Sequence, residues 1–198
     1  LSATAISGGE IRPLSWPTQI GYGIGQIASQ TFRDLPSLLL LFFMTNVLAI
    51  EPALAGLTVF VPKLAGGILF DFSVGILSDR WLGKIKRRSW LLAGAATAPA
   101  VMVALFHVPA ATSVLQSLYI AAVFTLYMAV FASFSVPYLA LAADLDLSSR
   151  ARTTLMAWRM IFISVGVLVA GAFAPAYVQM RGGGQQGYEA MALVLGMI

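Results

Sequence analysis

Apolar residues occur in this chain as runs of about twenty or more, and a run of that length is what a helix needs to cross a hydrocarbon layer roughly 30 Å thick. The runs extend from about Ile20 to Val47, Ala53 to Leu77, Trp90 to Val108, Val114 to Leu141 and Thr154 to Val178, and a further one opens at Tyr188. Within lipid every backbone N–H and C=O must be paired inside the segment, so each run is expected to be a helix. The first would measure about 42 Å at the usual helical rise, longer than the layer, and is expected to tilt, protrude or break. The expectation is an all-α, multi-pass transmembrane bundle of about six helices, with residues 1–19 as a cytoplasmic tail and residues 20–198 as the bundle. The chain starts at Leu1 and stops at Ile198 inside the last apolar run, so that helix is expected to be truncated.

Composition excludes the main alternatives. Hydrophobic residues make up 59% and charged residues 10% of the 198 residues, against roughly 45–50% and 25% in soluble domains. A net charge of +4 would point to nucleic acid in a soluble protein, but here Arg80, Lys84, Lys86, Arg87 and Arg88 share one short loop, and Arg150 and Arg152 another. Positive loops stay cytoplasmic. With Arg12 on the same side and Arg181 opposite, the amino terminus is expected inside, in a plasma membrane such as the bacterial inner membrane. There is no cysteine, and His107 stands alone near the end of the third run, where solvation is its expected state. No metal centre, cofactor or enzymatic nucleophile is expected from such a set.

Charged residues inside the runs are the candidate site. Each of Arg33, Asp34, Lys63, Asp71 and Arg159 costs about 2.5–3.5 kcal/mol near the centre of an inserted helix, and such residues face a cavity or one another. Counting along the runs puts Arg33, Asp34 and Lys63 near the midplane, and Asp71 and Arg159 closer to the cytoplasmic surface. Asp34 is therefore matched in depth with Lys63, and Asp71 with Arg159. The excess of cations over anions favours an anionic solute. Pro36 removes the hydrogen bond to the Phe32 carbonyl and Pro62 the one to Thr58; helices interrupted in this way beside charges are a usual feature of transporter sites. Gly21-Tyr22-Gly23-Ile24-Gly25 lacks the preceding strand of a nucleotide loop and has no third glycine at the required spacing. Its small residues, like Gly66 and Gly67, are expected at close helix contacts.

The loop after the second run resembles the hallmark of the major facilitator superfamily, in Gly75, Asp79, Arg80, Gly83, Lys84, Lys86, Arg87 and Arg88. Within that superfamily the chain is most similar to the amino-terminal half of the glycoside-pentoside-hexuronide:cation symporters, the melibiose permease family. The stretches that carry the likeness are Gly21 to Gly25, Asp71 to Trp90, and Val136-Pro137-Tyr138 followed by Asp144, Arg150, Arg152 and Trp158-Arg159-Met160. The resemblance implies half of a twelve-helix alternating-access transporter for a small polar solute: a sugar, a uronide or a related organic anion.

It also implies roles. Gln30 aligns with the sugar-binding acid of the first helix, Arg159 with the sugar-site arginine of the fifth, and Leu139 replaces the stacking aromatic of the fourth. Substrate is expected at Gln30, Arg33, Asp34, Lys63 and Arg159, and a cytoplasmic gate at Gly75, Asp79, Arg80, Gly83, Arg87 and Arg88. Of the family's three cation-site acids only Asp71 is matched; Gly66 or Gly67 and Ser135 stand at the others. One carboxylate is a poor Na⁺ cage, so H⁺ carried by Asp71 is the expected coupling ion. The expected partners are the solute, the bilayer, and a carboxyl-terminal half or a second copy, with no nucleic acid. The loss of two acids also leaves open a transport-inactive scaffold that binds a lipid or protein partner.

Overall fold

A computed structural model describes residues 16–81, 87–143 and 149–197. The elements are α1 (Trp16–Phe42), running into a π-turn (Phe43–Val47); α2 (Pro52–Trp81); α3 (Arg87–Phe106); α4 (Ser113–Ala143); α5 (Ser149–Leu168), running through a second π-turn (Val169–Phe173) into α6 (Ala174–Met180); and α7 (Gln185–Gly196). Since α5 and α6 form one rod, the described residues make six rods, as the hydrophobic runs require. The expected cytoplasmic tail falls mostly outside the described residues.

Local chemistry sets the ends of the rods. The α1 rod stops where Ala49 takes a left-handed φ of 52°, and α2 then begins at Pro52, whose missing N–H has no cost in the first turn. At the end of α6, Gly182 and Gly183 take φ of 92° and 70°, and the Gly183 N–H caps the Val178 carbonyl at 2.9 Å.

Pro36 and Pro62 do not interrupt their helices, in contrast to the sequence expectation: α1 and α2 run through both. At Pro36 the physical reason is a substitute donor, because the Tyr127 hydroxyl on α4 donates to the Phe32 carbonyl that the proline leaves without an N–H. The overlong first run stays helical to Val47, its last five residues in the π-turn.

The helices pair unequally. α2 packs along α4, α4 along α3, and α3 against α7, while α1 packs mainly along α5 and only lightly against α2 and α4. Near the α1–α2 turn the core closes on Leu35, Leu40, Phe43, Met44, Phe106 and Tyr188, with the Phe43 ring 5.5 Å from Phe106 and 4.8 Å from Tyr188. Outward, α2 exposes Leu57, Phe60, Leu64, Ile68 and Phe72 at helical spacing, an apolar stripe suited to lipid or to another apolar surface. Pro52–Ile76, Ser113–Val136 and Ala151–Met180 are each long and apolar enough to span a membrane. The α1 helix is less apolar because one of its faces is polar along much of its length.

Close contacts replace side chains along α1. A Cβ on Gly23 would lie 2.1 Å from the Phe162 ring, and one on Gly25 3.1 Å from Tyr138. Gly66 likewise meets Met128, but nothing lies within 4 Å of a Cβ on Gly67. The expectation of a close contact is therefore corrected at Gly67, which lines a cavity instead, and at Gly21, where nothing lies within 4 Å of a Cβ either.

Candidate functional site

The polar face of α1 is written in its sequence: Gln26, Gln30, Arg33 with Asp34, and Ser37 recur every three or four residues and so share one side of the helix. Where α1 separates from α2 and α4, that side borders a cavity of about 520 Å³. α2 contributes Lys63 and, one turn on, Gly67; α4 contributes Phe124, Tyr127, Phe131 and Ser135; α5 contributes Arg159. The structure thus brings Gln30, Arg33, Asp34, Lys63 and Arg159 from three helices to one cavity.

Their partners differ from the depth-matched pairs. Asp34 and Lys63 form no ion pair among the described residues. Instead Gln30 Nε2 donates to Asp34 Oδ2 at 2.7 Å, and Lys63 Nζ donates to Ser37 Oγ at 3.1 Å. Ser37 in turn donates to the Arg33 carbonyl at 3.2 Å. Spacing explains the result, since Gln30 and Asp34 are one turn apart on the same face and meet without any movement of a second helix. Arg159 Nε donates to Gln26 Oε1 at 3.2 Å, tying α5 to α1 across the cavity floor. Gln26 is buried, at 4% exposed. The pairing of Asp71 with Arg159 lies outside the described residues, because α2 carries the Asp71 backbone but its side chain is not described.

The remaining candidates divide in the same way. Gly75 is half-buried on α2, with nothing within 4 Å of where a Cβ would stand. The backbones of Asp79 and Arg80 close α2 and those of Arg87 and Arg88 open α3, but their side chains, and Gly83 altogether, lie outside the described residues. Of Gly66, Gly67 and Ser135, the positions at which the resemblance led us to expect missing acids, Gly67 and Ser135 line the cavity. His107 is not merely solvated: its Nδ1 lies 2.9 Å from Glu189 Oε1, joining the end of α3 to α7. Gln185 Nε2 donates to the same carboxylate oxygen at 3.1 Å and to the Val108 carbonyl at 2.9 Å.

Sequence reasoning missed Gln26, Ser37 and Tyr127. The first two were legible as further members of the Gln30 and Arg33 face. Tyr127 was not, because an orphaned carbonyl on one helix does not say which helix supplies its donor.

Chemically, the described walls present three cations, one carboxylate, two amides and the hydroxyls of Ser29, Ser37, Ser135 and Tyr127. Among the described side chains Lys63 donates to Ser37 and Arg159 to Gln26, and cations outnumber carboxylates on the described walls.

Comparison with known proteins agrees on family. Residues 21–198 match the model of the MFS/sugar transport protein family. The chain is 28% identical over 188 residues to the inner membrane symporter YicJ of Escherichia coli strain K12, covering 93% of this chain and 41% of that protein. It is 27% identical over 187 residues to the putative glycoside/cation symporter YagG of the same strain, covering 93% and 40%. It is also 27% identical over 179 residues to that strain's putative 2,3-dihydroxypropane-1-sulfonate exporter, covering 88% and 39%. The chain therefore spans about two-fifths of the length of the curated relatives it matches.

Proposed function

The chain belongs to the MFS/sugar transport protein family, is a multi-pass membrane protein, and from that premise we propose that it forms part of a cation-coupled secondary transporter. The solute is small and polar, of the sugar, uronide or related organic-anion class. The observation that carries this reading is the single cavity that gathers Gln30, Arg33, Asp34, Lys63 and Arg159. Charge placed there is costly unless something compensates it, and a solute that brings an acid group and hydroxyls matches what the walls offer. A relative named as a sulfonate exporter and another named as a glycoside/cation symporter fit that combination. Alternating access between this bundle and a second one exposes the cavity to each side in turn, and Asp71 carries the coupling proton. The basic run after α2, with Asp79 and Arg80, holds the cytoplasmic side closed by charge-assisted hydrogen bonds.

Uptake into proteoliposomes tests the reading, with melibiose, methyl β-D-glucuronide and 2,3-dihydroxypropane-1-sulfonate as separate probes. The full-length protein is expected to accumulate an anionic probe under an imposed pH gradient without Na⁺, and Asp71→Asn to lose accumulation while keeping exchange. Accumulation driven by Na⁺ alone would overturn the proton assignment, and binding with no movement of any probe would favour a scaffold. The proposed orientation has its own expected result. An impermeant thiol reagent applied to intact cells should label Gly184→Cys and leave Lys84→Cys untouched; the reverse pattern would invert the topology.

A further inference from the structure

Each carbonyl inside an α-helix is normally paired with the N–H four residues on. Pro36 has no N–H, so the Phe32 carbonyl loses its partner one residue before Arg33 and two before Asp34. An unpaired carbonyl inside a membrane bundle is expensive, yet α1 continues through the site as a regular helix. The donor comes from another helix. Tyr127 of α4 is 3% exposed, its hydroxyl donates to the Phe32 carbonyl, and its ring stacks on the Phe32 ring at 6.3 Å and 11°.

The place of this bond in the bundle gives it significance. α1 is packed along α5, whereas α2 and α3 both pack on α4, and α1 touches α2 and α4 only lightly. The cavity lies in the seam between these two groups, and Tyr127 lines it. A bond from α4 to the α1 backbone spans the seam at the level of the charged residues. An ordinary intrahelical bond at the same carbonyl would tie α1 only to itself.

We propose that Tyr127 is a positioning residue: its hydroxyl stands in for the N–H that Pro36 lacks, holds α1 against α4, and so places Arg33 and Asp34 in the cavity. The role in solute binding rests on the transport reading above; the structural tie does not. Pro36 and Tyr127 act as one device, which makes a specific test available. Tyr127→Phe keeps the ring and its stack but removes the donor. Pro36→Ala returns an N–H to the Phe32 carbonyl, so the hydroxyl becomes redundant.

The experiment uses the full-length protein in lipid nanodiscs, with hydrogen–deuterium exchange over the peptide containing Arg33 to Ser37, and KM and maximal rate for whichever of the three probes is accumulated. Tyr127→Phe is expected to raise exchange in that peptide severalfold and to raise KM about tenfold, the scale of one lost hydrogen bond, with a smaller change in maximal rate. In the Pro36→Ala background the same substitution should change each quantity less than about twofold. Equal effects in both backgrounds, or none in either, would overturn the proposal. If Tyr127→Phe alone cannot be purified, recovery of folded protein on adding Pro36→Ala supports the pairing, and failure to recover it overturns it. If no probe is transported, the transport reading falls and the exchange comparison still decides the role of Tyr127.

Discussion

Arg159→Ala is expected to weaken binding of an anionic solute by about a hundredfold or more, and Arg159→Lys to regain only part of the loss. Arg159 reaches the cavity from α5, where its Nε–H is held by Gln26 Oε1 at 3.2 Å. That bond uses one of five guanidinium donors and orients the planar fork. Removing one partner of a charge-assisted contact in a desolvated site costs about 2–5 kcal/mol, and a tenfold loss of affinity corresponds to roughly 1.4 kcal/mol. The alanine variant also leaves the buried Gln26 carbonyl without its donor, which adds to the loss. Lysine restores the charge but presents a compact ammonium in place of the fork, so the Gln26 contact and a bidentate grip on an acid group are not both recovered. Titration calorimetry with the anionic probe that wild type transports, beside a thermal melt of the same sample, separates binding from folding. An affinity within twofold of wild type for Arg159→Ala would remove the residue from the site.

A second large effect is expected from Gly166→Val, this time on folding. A Cβ at Gly166 would lie 2.7 Å from Gln30 Cβ and 3.0 Å from the Ile27 carbonyl oxygen. Both atoms are fixed to the α1 backbone and have no rotamer by which to withdraw. The helices must then separate, and overpacking of this kind costs about 1–3 kcal/mol, occasionally more. Separation also strains the bond from Thr31 Oγ1 to the Gly166 carbonyl, 3.4 Å long, and the Gln26 to Arg159 contact. The variant should melt several degrees lower and bind solute poorly, with Gly166→Ala intermediate. Gly56→Ala supplies the contrast: nothing lies within 4 Å of a Cβ there, and alanine is the better helix former, so its melt should equal or exceed that of wild type. A Gly166→Val protein that melts with wild type would show that the crossing of α1 and α5 is looser than the contact distances imply.

The wall residues were legible to different degrees, for physical reasons. Arg33, Asp34, Lys63 and Arg159 stood out because a charge in an apolar run must face something other than lipid; depth groups the first three, whereas Arg159 was counted nearer the cytoplasmic surface and joined them through the family resemblance. Gln26 and Ser37 carry no such penalty, so only helical periodicity points to them. The pairing of Asp34 with Lys63 was plausible from depth, but depth says nothing about rotation about the helix axis, and Gln30 was already one turn away on the right face. The prolines were readable as lost hydrogen bonds. Whether a lost bond opens a helix depends on a donor elsewhere, and Tyr127 supplies one at Pro36.

What the sequence determined by itself was the class of fold and which charged residues needed a setting away from lipid. Hydrocarbon imposes helices of a given length on apolar runs, and it charges every buried ionisable group enough to mark it. Those are one-dimensional constraints, so they can be read along the chain. Tertiary structure decided the rest: that α1 lies along α5 and only lightly against α2 and α4, that the resulting seam becomes the cavity, and that among the described side chains Lys63 meets Ser37 and Arg159 meets Gln26. Each of these depends on how helices rotate and cross, which small residues such as Gly23 and Gly166 control through shape. Shape complementarity between distant segments has no periodicity for a sequence to display.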